Sequence, residues 1–463
     1  MAAGDAGVAA GIPADDPRQI LGNRRMTLQQ YGVVAICVLV NMIDGYDILA
    51  ISLAGASLKA AWGLSDAQLG TLLAMHLVGM AAGALAVSPV ADQYGRRPAI
   101  LTCLLLMSCG MVICALSDGY WPMVGGRLIT GLGIGGMTST VGMLALEYAS
   151  FTKREFAASV VASAYPVGTI IGAFVAASAL EGVDWRAIFW VGAALSAALF
   201  PLAFLMMAES LDFLLNRQPK GALAKTNRVL RRMGIDQISA LPAKPAGSKD
   251  AVLSEIKQKV HVRELLKLFL AHALNMFGWY FIIQWGPPLI AETSGDPVLG
   301  ADYSQYFSYG GIIGGMTAGF LCGLFGTRAI MWTTMLSMGA LIALFGQFVN
   351  DPDVILVIAP FMGAALFGSA TANWLTIAFA FPPQLRATGL GFATTAGRVG
   401  AVGGPYIGGL LLNTREAGVF ELGGMAIPMT LTIGSVCAII AVSSVLSATT
   451  FTFARRLEPR RTR

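Results

Sequence analysis

Asp44 and Asp47 stand three residues apart within an apolar run, flanked by Tyr31–Val40 on one side and Ile48–Ala54 on the other. A membrane-crossing helix needs about 20 apolar residues to cover a hydrocarbon core of roughly 30 Å. On any such span Asp44 falls near the middle, with Asp47 about 60° round the helix. A carboxylate at that depth costs roughly 2.5–3.5 kcal/mol to insert. It is tolerated where it faces a watery cavity, meets a cation or takes up a proton, so the chemistry on offer is proton carriage or charge pairing. The alternative is a helix that stops at Asp44 and leaves both acids in a loop. Against it stands the apolar run that resumes after Asp47.

Arg398 is a second deep charge, about a dozen residues into another apolar run, Ala387–Leu412. Arginine keeps its proton and so requires an anion. Asp44, Asp47 or a ligand carboxylate can supply one, the last bound bidentately. His76 lies mid-span in the second run, where it either relays protons near neutral pH or packs as a hydrogen-bonded side chain. In the seventh run His272, Asn275 and Trp279 recur at helical spacing, with Tyr280, Gln284 and Trp285 close behind; Tyr165 and Trp374 sit in the fifth and tenth. Such rings stack on a planar ligand or pack against one another. Trp285-Gly-Pro-Pro288 reads as a helix kink and interface anchor. No nucleophile–base pair or metal-ligand cluster stands out, so neither an enzyme nor a cofactor or metal is expected.

Many membrane helices are needed to position these groups. Of 463 residues, 56% are hydrophobic and 12% charged, with mean hydropathy +0.67, whereas soluble domains carry about 25% charged residues. The net charge of +5 is not a nucleic-acid signal, because the basic residues lie between apolar runs and at the ends. The six cysteines fall inside or at the edge of apolar runs, with neither metal nor disulfide spacing. An all-α membrane protein of twelve spans is expected: Leu28–Ala54, Ala67–Val90, Pro98–Ser117, Pro122–Tyr148, Phe156–Leu180, Ala187–Met207, Leu265–Ile290, Tyr303–Phe325, Ala329–Phe348, Val354–Phe381, Ala387–Leu412 and Gly424–Phe451.

Of 31 Lys and Arg, Lys59, Arg186 and Arg415 fall on one side of these spans, Arg127 and Arg398 fall within them, and the other 26 lie in the tails and alternate loops. That bias puts both termini in the cytoplasm. The expected organisation is a cytoplasmic tail (residues 1–26), a six-helix bundle (27–208), a charged linker (209–264), a second six-helix bundle (265–451) and a basic tail (452–463). Short linker helices are expected around Ala222–Met233 and Ser254–Val262. The halves repeat at an offset of about 232 residues: Arg154, Gly168 and Gly172 map onto Arg386, Gly400 and Gly404, and Gly131 and Gly136 onto Gly363 and Gly368. Two pseudo-symmetric bundles of this kind are the architecture of alternating-access transporters.

Three further stretches stand out. Ser88-Pro-Val-Ala-Asp92-Gln-Tyr-Gly95-Arg96-Arg97-Pro98 packs an acid, a turn glycine and two arginines between the second and third spans. Arg127-Leu-Ile-Thr-Gly131-Leu-Gly133-Ile-Gly135-Gly136 contains a literal G-x-G-x-x-G, but no strand precedes it, and its small residues instead let another helix approach. Ala208-Glu-Ser-Leu-Asp-Phe-Leu214 follows the sixth span. With these motifs the chain resembles the major facilitator superfamily over nearly its whole length. Asp44-Gly-Tyr-Asp47 and Arg386-Ala-Thr-Gly-Leu-Gly with Gly397-Arg398-Val-Gly resemble its aromatic acid:proton symporters. The loop motif departs from the usual pattern at Ser88 and Gln93, Ala208 replaces a proline, and the counterpart loop before Arg328 lacks the acid.

That resemblance implies proton coupling through Asp44 and Asp47, with His76 as a third candidate, and a cytoplasmic gate containing Asp92 and Arg96. Arg97, Glu147, Arg154, Glu209 and Arg386, all at inner helix ends, extend that gate. Arg398, Asn275, Trp279, Tyr280, Tyr165 and Trp374 are the candidate ligand contacts, and Arg127, Gly131 and Gly135 the fourth-helix motif. The expected activity is import of a small hydroxybenzoate-like acid with protons, driven by the proton gradient, by a monomer in a bacterial inner membrane. A facilitator symporter for another organic anion or a sugar-like metabolite, and a drug-efflux antiporter, are the alternatives.

Overall fold

The computed structural model describes residues 16–180, 184–242, 262–380, 386–422 and 425–453. Helix α1 (Pro17–Asn23) precedes the first bundle, α2 (Leu28–Trp62), α3 (Asp66–Tyr94), α4 (Arg96–Ala115), α5 (Tyr120–Tyr148), α6 (Arg154–Leu180) and α7 (Arg186–Met206). Two short helices, α8 (Leu211–Arg217) and α9 (Ala222–Arg232), lie in the linker. The second bundle comprises α10 (Val262–Ser294), α11 (Pro297–Phe325), α12 (Thr327–Phe348), α13 (Pro352–Ala380), α14 (Arg386–Ala417) and α15 (Ile433–Phe453). Eleven of the twelve long helices have the length and apolarity of a membrane crossing; α14 matches them in length at 32 residues but is rich in glycine and carries Arg398.

Helix α2 runs unbroken through Asp44 and Asp47, so the loop alternative is excluded. It begins in a capping box between Thr27 and Gln30 and ends at Gly63, whose left-handed backbone (φ 61°) lets its N–H bond Lys59 O. Its last helical residue, Trp62, lies eight residues past the expected Ala54; Lys59 within that extension is neutralised by Asp66 and Glu292.

The twelfth span differs from expectation. Instead of a helix from Gly424, strands β1 (Val419–Leu422) and β2 (Met425–Pro428) pair antiparallel, and α15 opens at Ile433 after the Thr432 cap. Gly423-Gly424 between two β-prone tetrapeptides is hairpin chemistry, and Pro428 lacks the amide that a helix interior needs. Among the described residues the fold is therefore nearly all-helical, with one small hairpin. Of the expected linker helix at Ser254–Val262 only Val262 is described, as the first residue of α10, and the basic tail beyond Phe453 lies outside the described residues.

Close helix pairing follows the repeat. A Cβ on Gly131 would overlap the His76 carbonyl of α3, and one on Gly363 would overlap the Phe307 carbonyl of α11. Gly168 and Gly400 meet the carbonyls of Met42 and Ala273 in the same way. These partners correspond at the repeat offset to within one residue, so the pseudo-symmetry extends to individual backbone contacts.

The bundles meet along α2–α10, α3–α14 and α6–α11. Their polar links sit toward the face that carries the β-hairpin. Ser52 donates to Gln284 O at 2.7 Å, Thr169 and Ser308 hydroxyls are 2.7 Å apart, and Lys59 Nζ is 3.1 Å from Glu292 Oε2. Gly70 abuts Pro405 and Gly409 on the same side. The opposite face carries α1, α8 and α9 and is called the tail face below.

Candidate functional site

Successive helical residues point about 100° apart, and Asp44-Gly45-Tyr46-Asp47 uses all four directions. Gly45 packs against the Tyr165 carbonyl of α6, where a side chain would not fit. The Tyr46 hydroxyl donates to Ile188 O of α7 at 2.6 Å. Asp47 turns into its own bundle. Its Oδ1 accepts from Arg127 Nη1 at 3.0 Å, its carbonyl accepts from Arg127 Nη2 at 3.1 Å, and its Oδ2 lies 3.2 Å from His76 Nδ1. All three side chains are fully buried. Asp44, the remaining member, is buried within electrostatic range of Arg398, and its Oδ1 has no hydrogen-bond partner.

Arg398 therefore does not pair with Asp47. Arg127 does, and sequence reasoning had assigned Arg127 only to a packing motif. The signal was available: a cation five residues past the start of the expected span Pro122–Tyr148 needs an anion, and Asp44 and Asp47 are the acids deep in the first span. Gly131 and Gly135 keep the packing role expected of them, seating α5 against the His76 and Met80 carbonyls of α3.

Arg398 Nη1 reaches Met80 Sδ across the interface at 3.6 Å, while its Nε is buried without a partner. Its charge also acts on Tyr165, His272 and Tyr280. Around it the expected aromatic residues converge. Tyr165 from the first bundle lies 6.4 Å from Trp279 and 6.2 Å from Phe367, and Trp279 lies 4.7 Å from Tyr280 and 5.6 Å from Phe367. The Tyr165 hydroxyl, Trp279 Nε1, Asn275 Nδ2 and both amide atoms of Gln284 are buried without partners. Buried polar groups are nearly always satisfied in a folded protein, so this concentration makes the junction of the two bundles the candidate site for a polar ligand.

Sequence reasoning missed Phe367, which carries no local signal, and Asn373, which holds His272 Nδ1 at 2.8 Å. Trp374 is 44% exposed, two turns beyond Phe367 toward the tail face, and joins none of these ring contacts. Trp285 is not an interface anchor: it is fully buried and donates to Pro405 O at 3.0 Å, tying α10 to α14.

At the tail face Arg96 pairs with Glu147, which also accepts from the Ser210 hydroxyl. Among the described residues Glu209 makes no ion pair; its Oε1 accepts the backbone amides of Arg96, Arg97 and Ser210 at 2.8, 3.2 and 3.0 Å. It thereby caps α4, whose N-cap residue, Gly95, has no side chain and a φ of 115°. Arg97 donates to Phe204 O at 2.6 Å, and Arg154 donates to Leu146 O at 3.0 Å. Asp92 is exposed, and the Arg386 side chain lies outside the described residues. The pairs that are described lie within the first bundle and do not bridge to the second.

Two six-helix bundles with buried charges at their junction define a membrane transporter fold. The chain belongs to the Major Facilitator Superfamily, whose family model matches residues 34–405. It is 25% identical to the 4-hydroxybenzoate transporter PcaK of Acinetobacter baylyi over 420 residues, 89% of this chain and 92% of that protein. It is 24% identical to a gallate transporter of Pseudomonas putida, covering 94% and 96%. Its fold matches the xylose transporter XylE of E. coli in a partially occluded inward-open conformation, with TM-score 0.69 at 17% identity over 91% of this chain and 97% of that one.

Proposed function

We propose that the protein imports a small aromatic carboxylate of the hydroxybenzoate type together with a proton, by alternating access in a bacterial inner membrane. The observation that carries this reading is the set of unpartnered buried polar atoms shared by the two bundles, ringed by Tyr165, Trp279 and Phe367 and bearing one acid and one cation. The relatives named for 4-hydroxybenzoate and gallate, both planar hydroxylated acids, support the ligand class. Arg398 favours an anion over a neutral sugar. The basic tails and loops support a cytoplasmic tail face. With the bundles joined on the hairpin side, the arrangement is then inward-facing.

The coupling follows from competition for one cation. Without ligand, Asp44 and Arg398 offset each other's charge. A ligand carboxylate that takes Arg398 leaves Asp44 as a buried anion without a counter-charge, and such a group takes a proton rather than stay charged. Acid and proton therefore load together while the ring stacks among the aromatic side chains. In the cytoplasm, where protons are scarcer, Asp44 releases its proton, reclaims Arg398 and displaces the acid. Asp47, held by Arg127, stays out of this exchange and fixes the helix that carries Asp44.

Asp44→Asn should abolish accumulation of labelled 4-hydroxybenzoate under an imposed pH gradient while preserving exchange of internal for external ligand. Undiminished gradient-driven accumulation in that variant would overturn the coupling scheme.

A further inference from the structure

A cavity of about 700 Å³ opens at the tail face, between the ends of α4 and α7 and the linker helices. It is separate from the central cleft. One wall is cationic: Lys225, Arg228 and Arg232 recur at i, i+3 and i+7, so they share one side of α9, and Arg97 reaches the same space from α4. The three α9 cations form no ion pair with any described acidic residue. The one carboxylate in the lining, Glu209, is already engaged by three backbone amides. The other wall is apolar, with Leu101, Phe204 and Phe213. Phe204 is 51% exposed on the bundle perimeter, and its neighbours Leu205 and Met206 are also exposed, where lipid chains run past α7.

We propose that this cavity binds an anionic phospholipid, the headgroup phosphates held by Arg97, Lys225, Arg228 and Arg232 and an acyl chain descending along Phe204 and Leu205. A free phosphate satisfies the cationic wall but leaves the apolar wall uncovered. A zwitterionic lipid covers the apolar wall but brings a cation against four others. The anionic lipid matches both walls. Basic pockets beside membrane helices attract such headgroups at about 1 kcal/mol for each Lys or Arg near the surface, which is roughly fivefold in affinity. Occupancy would pin α9 against the end of the first bundle.

The test is a titration of the purified full-length protein in neutral detergent with short-chain phosphatidylglycerol, phosphatidylcholine and inorganic phosphate, read by native mass spectrometry and by the thermal unfolding midpoint. Phosphatidylglycerol should bind and raise the midpoint, the other two should not, and the double substitution Arg228→Gln/Arg232→Gln should weaken binding by roughly thirtyfold. Arg231→Gln, on the same helix but outside the cavity, should leave binding intact. Equal responses to phosphatidylcholine or phosphate, full binding by the double variant, or equal loss in the Arg231 control would each overturn the assignment.

Discussion

Asp47 and Asp44 are the same residue type one helical turn apart, and their surroundings divide their work. Asp47 is ion-paired to Arg127 through Oδ1, whereas Asp44 has no described cation within ion-pair distance and feels Arg398 only from farther off. Removing one member of a buried pair strands the other, at a cost of about 3–5 kcal/mol, whereas replacing both by apolar residues is often nearly neutral. Asp47→Asn and Arg127→Met should thus each lower the thermal midpoint and the folded yield strongly, while Asp47→Leu/Arg127→Met should recover much of the loss. Chromatographic monodispersity and thermal unfolding in detergent measure this; a purely additive double variant would remove the pairing from the stability argument. The depth of these charges was legible in the chain, since apolar length fixes it. Their partners were not, because spacing reports which residues share a helix face but not which helix lies opposite. Phe367 and Asn373 stayed invisible for the same reason.

Between helices, the legible features were those written in backbone-proximal chemistry. The Gly131–Gly135 stripe announced a close neighbour, and the structure supplies α3. Gly131→Leu should separate the two helices, displace His76 and cut folded protein sharply, as fluorescence-detected gel filtration would report. The hairpin was overlooked because its short strands adjoin an apolar segment that reads as one continuous span. The charge network of Lys59, Asp66, Glu292 and Arg415 was overlooked because its members come from four helices in both bundles. Each of these partly exposed pairs contributes at most about 1 kcal/mol, enough to shift the balance of two states about fivefold. Glu292→Gln should accordingly raise the population open at the hairpin face, measured by spin-label distances across it, with no change in fold.

For the whole molecule, the alternating basic loops predict which face is cytoplasmic. A cysteine placed at Ile427, 47% exposed in the hairpin, should react with an impermeant thiol reagent in intact cells. One placed at Arg231 on α9 should react only after permeabilisation. The reverse pattern would invert the transporter and the direction assigned to its cycle.

The four-way fan at Asp44–Asp47 has an evolutionary corollary. Gly45, Tyr46 and Asp47 are each committed to a different neighbour, so the first half of the molecule has almost no room to vary there without losing its shape or, on the proposed function, its proton coupling. Ring contacts such as Trp279 and Phe367, and the polar Asn275 and Gln284, come from the second half. Divergence among relatives that accept different acids should therefore concentrate in that half, where a changed side chain alters the taste of the pocket and leaves the engine alone.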